Sequence, residues 1–147
     1  MKLKDQVVSL ELSKKMDELG FKQKSLWYWC KGICKGNKNL PPKIMCPGGL
    51  TIHDARPIDV DEYFFEVGYQ TICSAYTVAE LGEMLPNFIE KKRSTHLFRN
   101  LKIYKQKHEI LKEMFWFVRY GCTYRNAKTE VNARAKMLIY LKENNLI

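Results

Sequence analysis

Apolar residues recur at helical spacing near both ends of the chain. The first pattern predicts a helix over about residues 9–20, which Gly20 ends because glycine tolerates the left-handed backbone of that position. The last predicts a helix over 130–143, with Thr129 as N-cap and an acidic residue at the positive end of the helix dipole. The residues that share a face are Leu12, Met16 and Leu19 in the first helix and Ala133, Met137, Tyr140 and Leu141 in the last.

A shorter helix is predicted in the middle of the chain from its capping signals. Thr77 and Glu80 have the spacing of a capping box, in which each side chain accepts a hydrogen bond from the backbone N–H of the other residue. The helix that follows should stop at Leu85, because the residue before a proline disfavours helical backbone.

Runs of aromatic and β-branched residues between these helices predict strands. They are residues 25–30, 50–54, 63–73, 97–105 and 114–120, and CTYRNAKT pairs with the last of them across Gly121. Residues 31–49 are rich in Gly, Pro, Asn and Lys, which predicts a loop or a hairpin with a long loop. We therefore expect residues 1–147 to form a single α+β domain. Its antiparallel sheet would carry the N-terminal helix, the short central helix and the C-terminal helix.

Two aromatic triplets, WYW at 27–29 and FWF at 115–117, lie in predicted strands. Alternate residues of a strand point to one face, so the first and third members of each triplet share a face. We expect core packing, with the inner face of the sheet taking one such pair. The middle residues, Tyr28 and Trp116, would point outward or lie under a helix, and a sheet buried on both sides would take all six rings. Trp27 and Trp29 are the predicted core anchors of their strand.

The composition is that of an ordinary globular protein. The 147 residues are 46% hydrophobic and 28% charged, enough to bury a core without disulfides or metals. The N-terminal segment lacks the apolar stretch of a signal peptide, and no apolar run approaches the roughly 18 residues of a membrane span. We therefore expect a cytoplasmic protein without a membrane partner, whose five cysteines stay reduced.

The net charge of +9 is unevenly distributed. Residues 1–75 carry 11 basic and 9 acidic side chains, whereas residues 76–147 carry 14 and 7. The densest cluster, residues 91–107, contains seven Lys or Arg and no acid. Such a field attracts polyanions or an acidic protein surface, and a merely solubilising surface is the other interpretation.

Cations alternate with aromatic rings in this basic segment, a mixture that suits single-stranded nucleic acid because cations meet phosphates and rings meet bases. On a strand, Phe98, Lys102 and Tyr104 share one side, and Arg99, Lys105 and Lys107 share the other. The predicted nucleic-acid or partner site is Lys91, Lys92, Arg93, Arg99, Lys102, Tyr104, Lys105, Lys107, Arg119 and Arg125. A second predicted patch is Lys31, Lys35 and Lys38. The alternative is a sheet whose aromatics pack inward and whose lysines are only solvated.

Four residues have a spacing that could hold zinc, namely Cys30, Cys34, Cys46 and His53, in the pattern C-x3-C-x11-C-x6-H. Zinc takes four such ligands in a tetrahedron, and a close pair lets one turn supply two of them. Free thiols in and beside a core are the default interpretation. We therefore expect no cofactor, with zinc as the alternative.

Enzymatic chemistry has little support in the sequence. The acids Asp59, Asp61 and Glu62 could hold a divalent ion through oxygen ligands, although a solvated acidic loop explains them more simply. The sequence contains no nucleophile elbow, P-loop or dinucleotide fingerprint, and its three histidines lie in no catalytic signature. We expect a protein that is not an enzyme, with a metal-dependent enzyme as the least favoured alternative.

Three segments carry a resemblance to a known family: DQVVSLELSKKMDELGF (5–21), SAYTVAELGEMLP (74–86) and NARAKMLIYLKENNLI (132–147), with the strand FWFVRYG (115–121) beside them. Together they resemble small uncharacterised proteins of tailed phages, prophages and related mobile elements, often of the Bacteroidetes group. The resemblance implies expression inside an infected bacterium. Small proteins of that origin often block host defence systems such as RNA-guided nucleases, as anti-CRISPR proteins do.

The sequence thus predicts a small basic phage- or prophage-encoded binding protein, acting as an inhibitor of anti-CRISPR type. It would engage RNA, DNA or the nucleic-acid-binding surface of a host nuclease through its positive surface. A zinc-stabilised accessory or nucleic-acid-binding module is the alternative. The oligomeric state stays open.

Overall fold

The computed structural model describes residues 5–34, 43–45, 67–89, 99–107 and 112–147. The helices within this part of the chain are α1 (Leu10–Glu18), α2 (Val78–Met84) and α3 (Glu130–Glu143). The strands are β1 (Tyr28–Cys34), β2 (Lys43–Met45), β3 (Val67–Ser74), β4 (Phe88–Ile89), β5 (Arg99–Lys107), β6 (Met114–Tyr120) and β7 (Thr123–Ala127). The predicted α+β class is confirmed, with its N-terminal, central and C-terminal helices and antiparallel pairing. None of the described helices is long and apolar enough to cross a bilayer.

The described strands form two antiparallel sheets, ordered β2-β1-β3 and β4-β5-β6-β7. β1 pairs with β3 from Tyr28 opposite Ser74 to Cys34 opposite Val67, and with β2 at its start. The predicted loop over 31–49 is therefore wrong at residues 31–34 and 43–45. The hairpin interpretation is correct, because β1 pairs antiparallel with β2, from Tyr28 opposite Met45 to Cys30 opposite Lys43. Residues 31–34 are extended because β3 supplies their backbone partners. The predicted strand at 50–54 lies outside the described residues.

The predicted end of the first helix is confirmed at Gly20, which has φ +76°. Its N–H donates to the Asp17 carbonyl at 2.9 Å, and the N–H of Phe21 donates to the Met16 carbonyl at 3.1 Å. This pair of bonds is a Schellman motif, which satisfies carbonyls that the last turn leaves without helical partners. Met16 is fully buried, so the same turn anchors α1 in the core.

The capping box at the start of α2 is also confirmed. Thr77 Oγ1 accepts from the Glu80 N–H at 3.3 Å, and the Glu80 carboxylate accepts from the Thr77 N–H at 2.6 Å. The same carboxylate accepts from the Leu26 N–H at 3.0 Å and from Ser25 Oγ at 3.1 Å. Burial by itself raises the pKa of Glu80, but these hydrogen bonds outweigh it and leave the pKa below its ordinary value. Glu80 thus joins the segment before β1 to α2, which ends with Leu85 as C-cap.

The C-terminal helix has the predicted bounds and forms the centre of the core. Thr129 caps it by accepting from the Asn132 N–H at 3.4 Å. α3 packs on β6 and β7, and α1 and α2 pack against α3. Fully buried side chains from these elements are Met16, Leu81, Val118, Tyr120, Val131, Met137, Leu138 and Leu141. The core therefore occupies the helix-covered face of the four-stranded sheet.

Candidate nucleic-acid interface

A two-residue turn fixes the register of the hairpin formed by β6 and β7. Tyr120 lies opposite Thr123, and Gly121 between them has φ +57°, the positive value that the first position of a type II′ turn requires. Counting back from this turn pairs Arg119 with Tyr124. On its other side, β6 pairs with β5 in the register that places Lys102 opposite Arg119. Pairing and the two-residue period of strands together decide which side chains share a face.

The inner face of this sheet is the one that α3 covers. Val118 and Tyr120 are fully buried there, and Leu101, Ile103 and Trp116 pack against the same core. The opposite face, called here the outer face, carries Lys102, Tyr104, Gln106, Phe115, Phe117, Arg119, Tyr124 and Asn126. The pair Phe115 and Phe117 is therefore not the one on the inner face, and Trp116 lies under a helix, one of the two positions expected for it. Trp116, Val118 and Tyr120 alternate along β6 and therefore lie on the same face. That face is the inner one, because α3 packs against it.

Three rings form an aromatic ladder across three strands of the outer face. Tyr104 on β5 stacks against Phe117 on β6, with ring centroids 5.4 Å apart and planes 7° apart. Phe117 in turn lies 5.9 Å from Tyr124 on β7, tilted by 45°. Tyr104 and Phe117 are half-buried, whereas Tyr124 is 53% exposed. The ladder thus presents ring surface to solvent, and most of it at the β7 end.

Two cations lie next to the ladder on the same face. Lys102 and Arg119 are directly opposite each other in the β5–β6 pairing, and both are exposed. The Arg119 guanidinium donates to the Gly121 carbonyl, and within the described part of the chain neither cation has a carboxylate partner. Like charges directly opposite in a sheet are unfavourable. An anion bound at this place would remove that repulsion.

Two other predicted cations lie on the helix-covered side of the sheet. Lys105 Nζ is 5.9 Å from the centroid of the Trp116 ring, and the Arg125 guanidinium is 4.0 Å from that of Tyr140 on α3. A single positive surface that includes Lys102, Lys105, Arg119 and Arg125 is therefore wrong, because the strand period divides these residues between two faces. Lys107 is exposed at the end of β5, and Arg99 begins that strand opposite Ile89. Lys91, Lys92, Arg93 and Phe98 lie outside the described residues.

The predicted second patch and zinc site are described only in part. Lys31 is exposed on β1, while Lys35, Lys38, Cys46 and His53 lie outside the described residues. Cys30 and Cys34 both belong to β1, and strand geometry separates residues i and i+4 by about 13 Å. Two thiolates on one zinc ion are only about 4 Å apart. The backbone of the C-x3-C segment is therefore extended, whereas the zinc hypothesis assumed a turn.

The buried cysteines have the properties of core thiols. Cys30 and Cys73 are 6% and 2% exposed on neighbouring strands. Burial raises the pKa of Cys30, and burial, with a smaller effect of Asp17, raises the pKa of Cys73 to about 11. Thiols of this kind stay protonated at neutral pH and are poor nucleophiles. The described residues contain no group of three or more metal-ligating side chains, and Asp59, Asp61 and Glu62 lie outside them.

A cavity of about 460 Å³ lies beside the N-terminal ends of α2 and α3, with Trp27 and Trp116 among its lining residues. Trp27 is half-buried, as is Trp29, whose indole N–H donates to the Val8 carbonyl at 2.9 Å. Neither belongs to the buried core, so the prediction of two core anchors is wrong. Four polar residues around the cavity already have partners, in the pairs Thr77–Glu80, Thr129–Asn132, Glu130–Arg134 and Lys128–Glu113. The outer face is the better candidate for ligand binding, because its cations Lys102 and Arg119 have no carboxylate partner in the part of the chain that the structure describes.

Comparison with protein-family models, with curated proteins and with solved structures gave no match. The site therefore rests on its own geometry. Sequence reasoning found Lys102, Tyr104 and Arg119 but missed Phe117 and Tyr124. The turn at Gly121 could have identified these two residues from the sequence. A two-residue loop fixes which residues of FWFVRY and TYRNA lie opposite each other and therefore on the same face.

Proposed function

We propose that this protein is a small, basic, non-enzymatic binding protein that holds single-stranded nucleic acid on its outer face. The observation that carries the proposal is the cation pair Lys102 and Arg119, which has no carboxylate partner among the described residues and lies beside an aromatic ladder that crosses three strands. Cations in this position neutralise phosphates, and the rings stack with bases.

The ladder favours unpaired bases over a duplex. Stacking on Tyr124 or Tyr104 requires an open base face, which a single strand offers and a paired helix hides. Every base has such a face, so stacking tolerates many sequences. We therefore expect weak sequence preference and strong dependence on salt, the pattern of binding dominated by stacking and phosphate neutralisation.

The setting that we propose follows from the resemblance to phage and prophage proteins. In the cytoplasm of an infected bacterium, a protein that covers a single strand could block an RNA-guided nuclease by occupying its guide RNA or competing for its nucleic-acid channel. The net charge of +9 supports association with such polyanionic or acidic partners. This anti-defence role is the biological form of the proposed binding activity.

The direct test measures fluorescence anisotropy of labelled single- and double-stranded RNA and DNA over a range of salt. Wild-type protein should bind single strands more tightly than duplexes. Tyr124→Ala should weaken that binding between roughly fivefold and a hundredfold, since a base–aromatic stack contributes about 1–3 kcal/mol. Tyr124 is 53% exposed, so its removal should leave the melting temperature nearly unchanged.

Leu26→Ala provides the matched control, because Leu26 is 66% exposed and lies before β1, away from the four-stranded sheet. It should bind like the wild type. The proposal fails if no oligonucleotide binds at low salt, or if Tyr124→Ala and Leu26→Ala bind single strands equally well. A separate experiment tests the anti-defence role: pull-down from host cytosol with identification of both the bound RNA and the bound protein.

A further inference from the structure

A polar pocket of about 550 Å³ lies where β7, the edge strand of the four-stranded sheet, meets α3. Its size falls in the range of small-ligand sites, roughly 300–1,000 Å³. Two cations line it, Arg125 from β7 and Lys136 from α3, together with Tyr124 and Tyr140. We call it the edge pocket. Tyr124 belongs both to this pocket and to the aromatic ladder, so the two features are continuous.

Contacts within the protein hold both cations in place. The Arg125 guanidinium lies 4.0 Å from the centroid of the Tyr140 ring, and its Nη1 donates to the Tyr124 carbonyl at 2.7 Å. Lys136 Nζ donates to the Asn126 carbonyl at 3.2 Å. A guanidinium stacked on a ring keeps its planar donor face oriented, which lowers the entropy cost of binding an anion.

The charges in the edge pocket call for an anion. The described residues that line it include two cations and no carboxylate, and neither cation forms an ion pair within this part of the chain. A guanidinium has five N–H donors and an ammonium three, so both keep donors beyond the single bond that each makes here. Phosphate oxygens suit this combination of a planar fork and a point charge.

We propose that the edge pocket binds a phosphate group of the nucleic-acid strand whose base stacks on Tyr124. This inference rests on the proposed function and extends it, because the strand would leave the outer face at Tyr124 and pass over the β7 edge. Arg125 directly follows Tyr124 on β7 and donates to its carbonyl, so its guanidinium lies at the same sheet edge but on the face opposite the Tyr124 ring. Arg125, which the sequence had placed on the main positive surface, thus contacts the same strand from the edge.

The test compares Lys136→Gln and Arg125→Gln with Lys14→Gln, which removes the same charge from the exposed face of α1. The first probe is a single-stranded oligouridine of roughly eight nucleotides, within the usual site sizes. Each edge variant should bind it roughly fivefold more weakly than Lys14→Gln. The slope of log K against log salt should also fall by about 0.7, the value for one lost phosphate contact on a single strand.

The second probe is inorganic phosphate, followed by NMR shifts of the Thr123–Ala127 amides. Added phosphate should change the chemical shifts of these amides in the wild type but not in Lys136→Gln. Such a shift without oligouridine binding would support the edge pocket while refuting the proposed function. Lys136 is exposed, so its variant should fold even if Arg125→Gln does not.

Three results would overturn the inference. The first is oligouridine binding in which both edge variants match Lys14→Gln in affinity and salt slope. The second is the absence of phosphate-induced shifts in the wild type. The third is self-association of the edge variants with unchanged oligouridine binding, because the two cations would then serve only to cover the carbonyls of an edge strand.

Discussion

Replacing Glu80 by Gln keeps the shape of the side chain but removes the charge toward which four hydrogen bonds point. The donors are the Thr77 N–H and hydroxyl at 2.6 and 2.8 Å, Ser25 Oγ at 3.1 Å and the Leu26 N–H at 3.0 Å. Three of them meet Oε2 and the fourth meets Oε1. A Gln side chain has one oxygen and one NH2 group, so the NH2 group must face a hydrogen-bond donor at the position of either Oε1 or Oε2.

The expected cost follows from this geometry. With its oxygen toward Thr77 and Ser25, the Gln variant keeps three bonds but turns them from charged to neutral. Hydrogen bonds to charged groups contribute about 1.5–3 kcal/mol and neutral ones about 0.5–1.5. Leu26 is exposed, so water can replace the fourth bond. Three such changes would cost about 3 kcal/mol for fully buried bonds. Glu80 is only partly buried, so solvent screens its charge, and we expect a loss of about 2 kcal/mol of unfolding free energy. The melting temperature should fall by roughly 4–8 °C.

The difference in unfolding free energy between the wild type and Glu80→Gln should disappear in acid. The pKa of Glu80 lies below its ordinary value of 4.5 in the folded protein, because the hydrogen bonds outweigh the effect of burial. The folded state therefore binds this proton less readily than the unfolded state. The contribution to stability is complete above the ordinary pKa and disappears as the pH falls through the folded one. Urea unfolding near neutrality and at about pH 3 measures both values.

Glu83→Gln is the control, since Glu83 is exposed on the same helix and its replacement removes the same charge. It should change the unfolding free energy by less than about 0.5 kcal/mol at either pH. The reasoning is refuted if Glu83→Gln destabilises the protein as much as Glu80→Gln. It is also refuted if the cost of Glu80→Gln is the same in acid as at neutrality.

Two further predictions concern a helix end and the zinc hypothesis. Gly20→Ala should lower the free energy of unfolding by about 1 kcal/mol, because Gly20 has φ +76° and the added Cβ meets no atom within 4 Å, so the cost is backbone strain alone. Gly20→Asn should lower it by less. Equal urea midpoints for the wild type and both variants would contradict the Schellman motif. Since β1 separates Cys30 from Cys34, protein purified without chelator should contain zinc far below one equivalent, and a chelator should not change its melting temperature; stoichiometric zinc would instead support the alternative of a zinc-stabilised module.

Local signals in the sequence were sufficient for the helices. Thr77 and Glu80 define the start of α2 by their own side-chain bonds, and Thr129 does the same for α3. These interactions join residues three positions apart, so nothing distant can overrule them easily. The ends of the strands were harder to predict from the sequence. β1 continues past Lys31 because β3, some forty residues away, supplies its partners.

The faces of the strands could be predicted only as alternatives. Period two shows that Phe115 and Phe117 share a face, but β6 carries large rings on both faces, with Trp116 and Tyr120 on the other. The choice depends on where α3 packs, which is a tertiary property. The separation of Arg119 from Arg125 was different. The turn at Gly121 pairs Arg119 with the residue just before Arg125, so the two arginines lie on opposite faces. That part of the site was available from the sequence.

The aromatic ladder has a structural role as well as the proposed one, and the two roles fall on different residues. Tyr104 and Phe117 are half-buried and stacked, so they stabilise the sheet as a cross-strand pair by about 0.5–1.5 kcal/mol. Alanine at either place should lower stability and ligand binding together. Tyr124 is more exposed and only tilted against Phe117, so it contributes less to the sheet. Tyr124 lies between the edge pocket and the cations Lys102 and Arg119, which have no carboxylate partner among the described residues, so the proposed binding accounts for its exposure. Tyr124 is therefore the residue at which binding and stability can be separated.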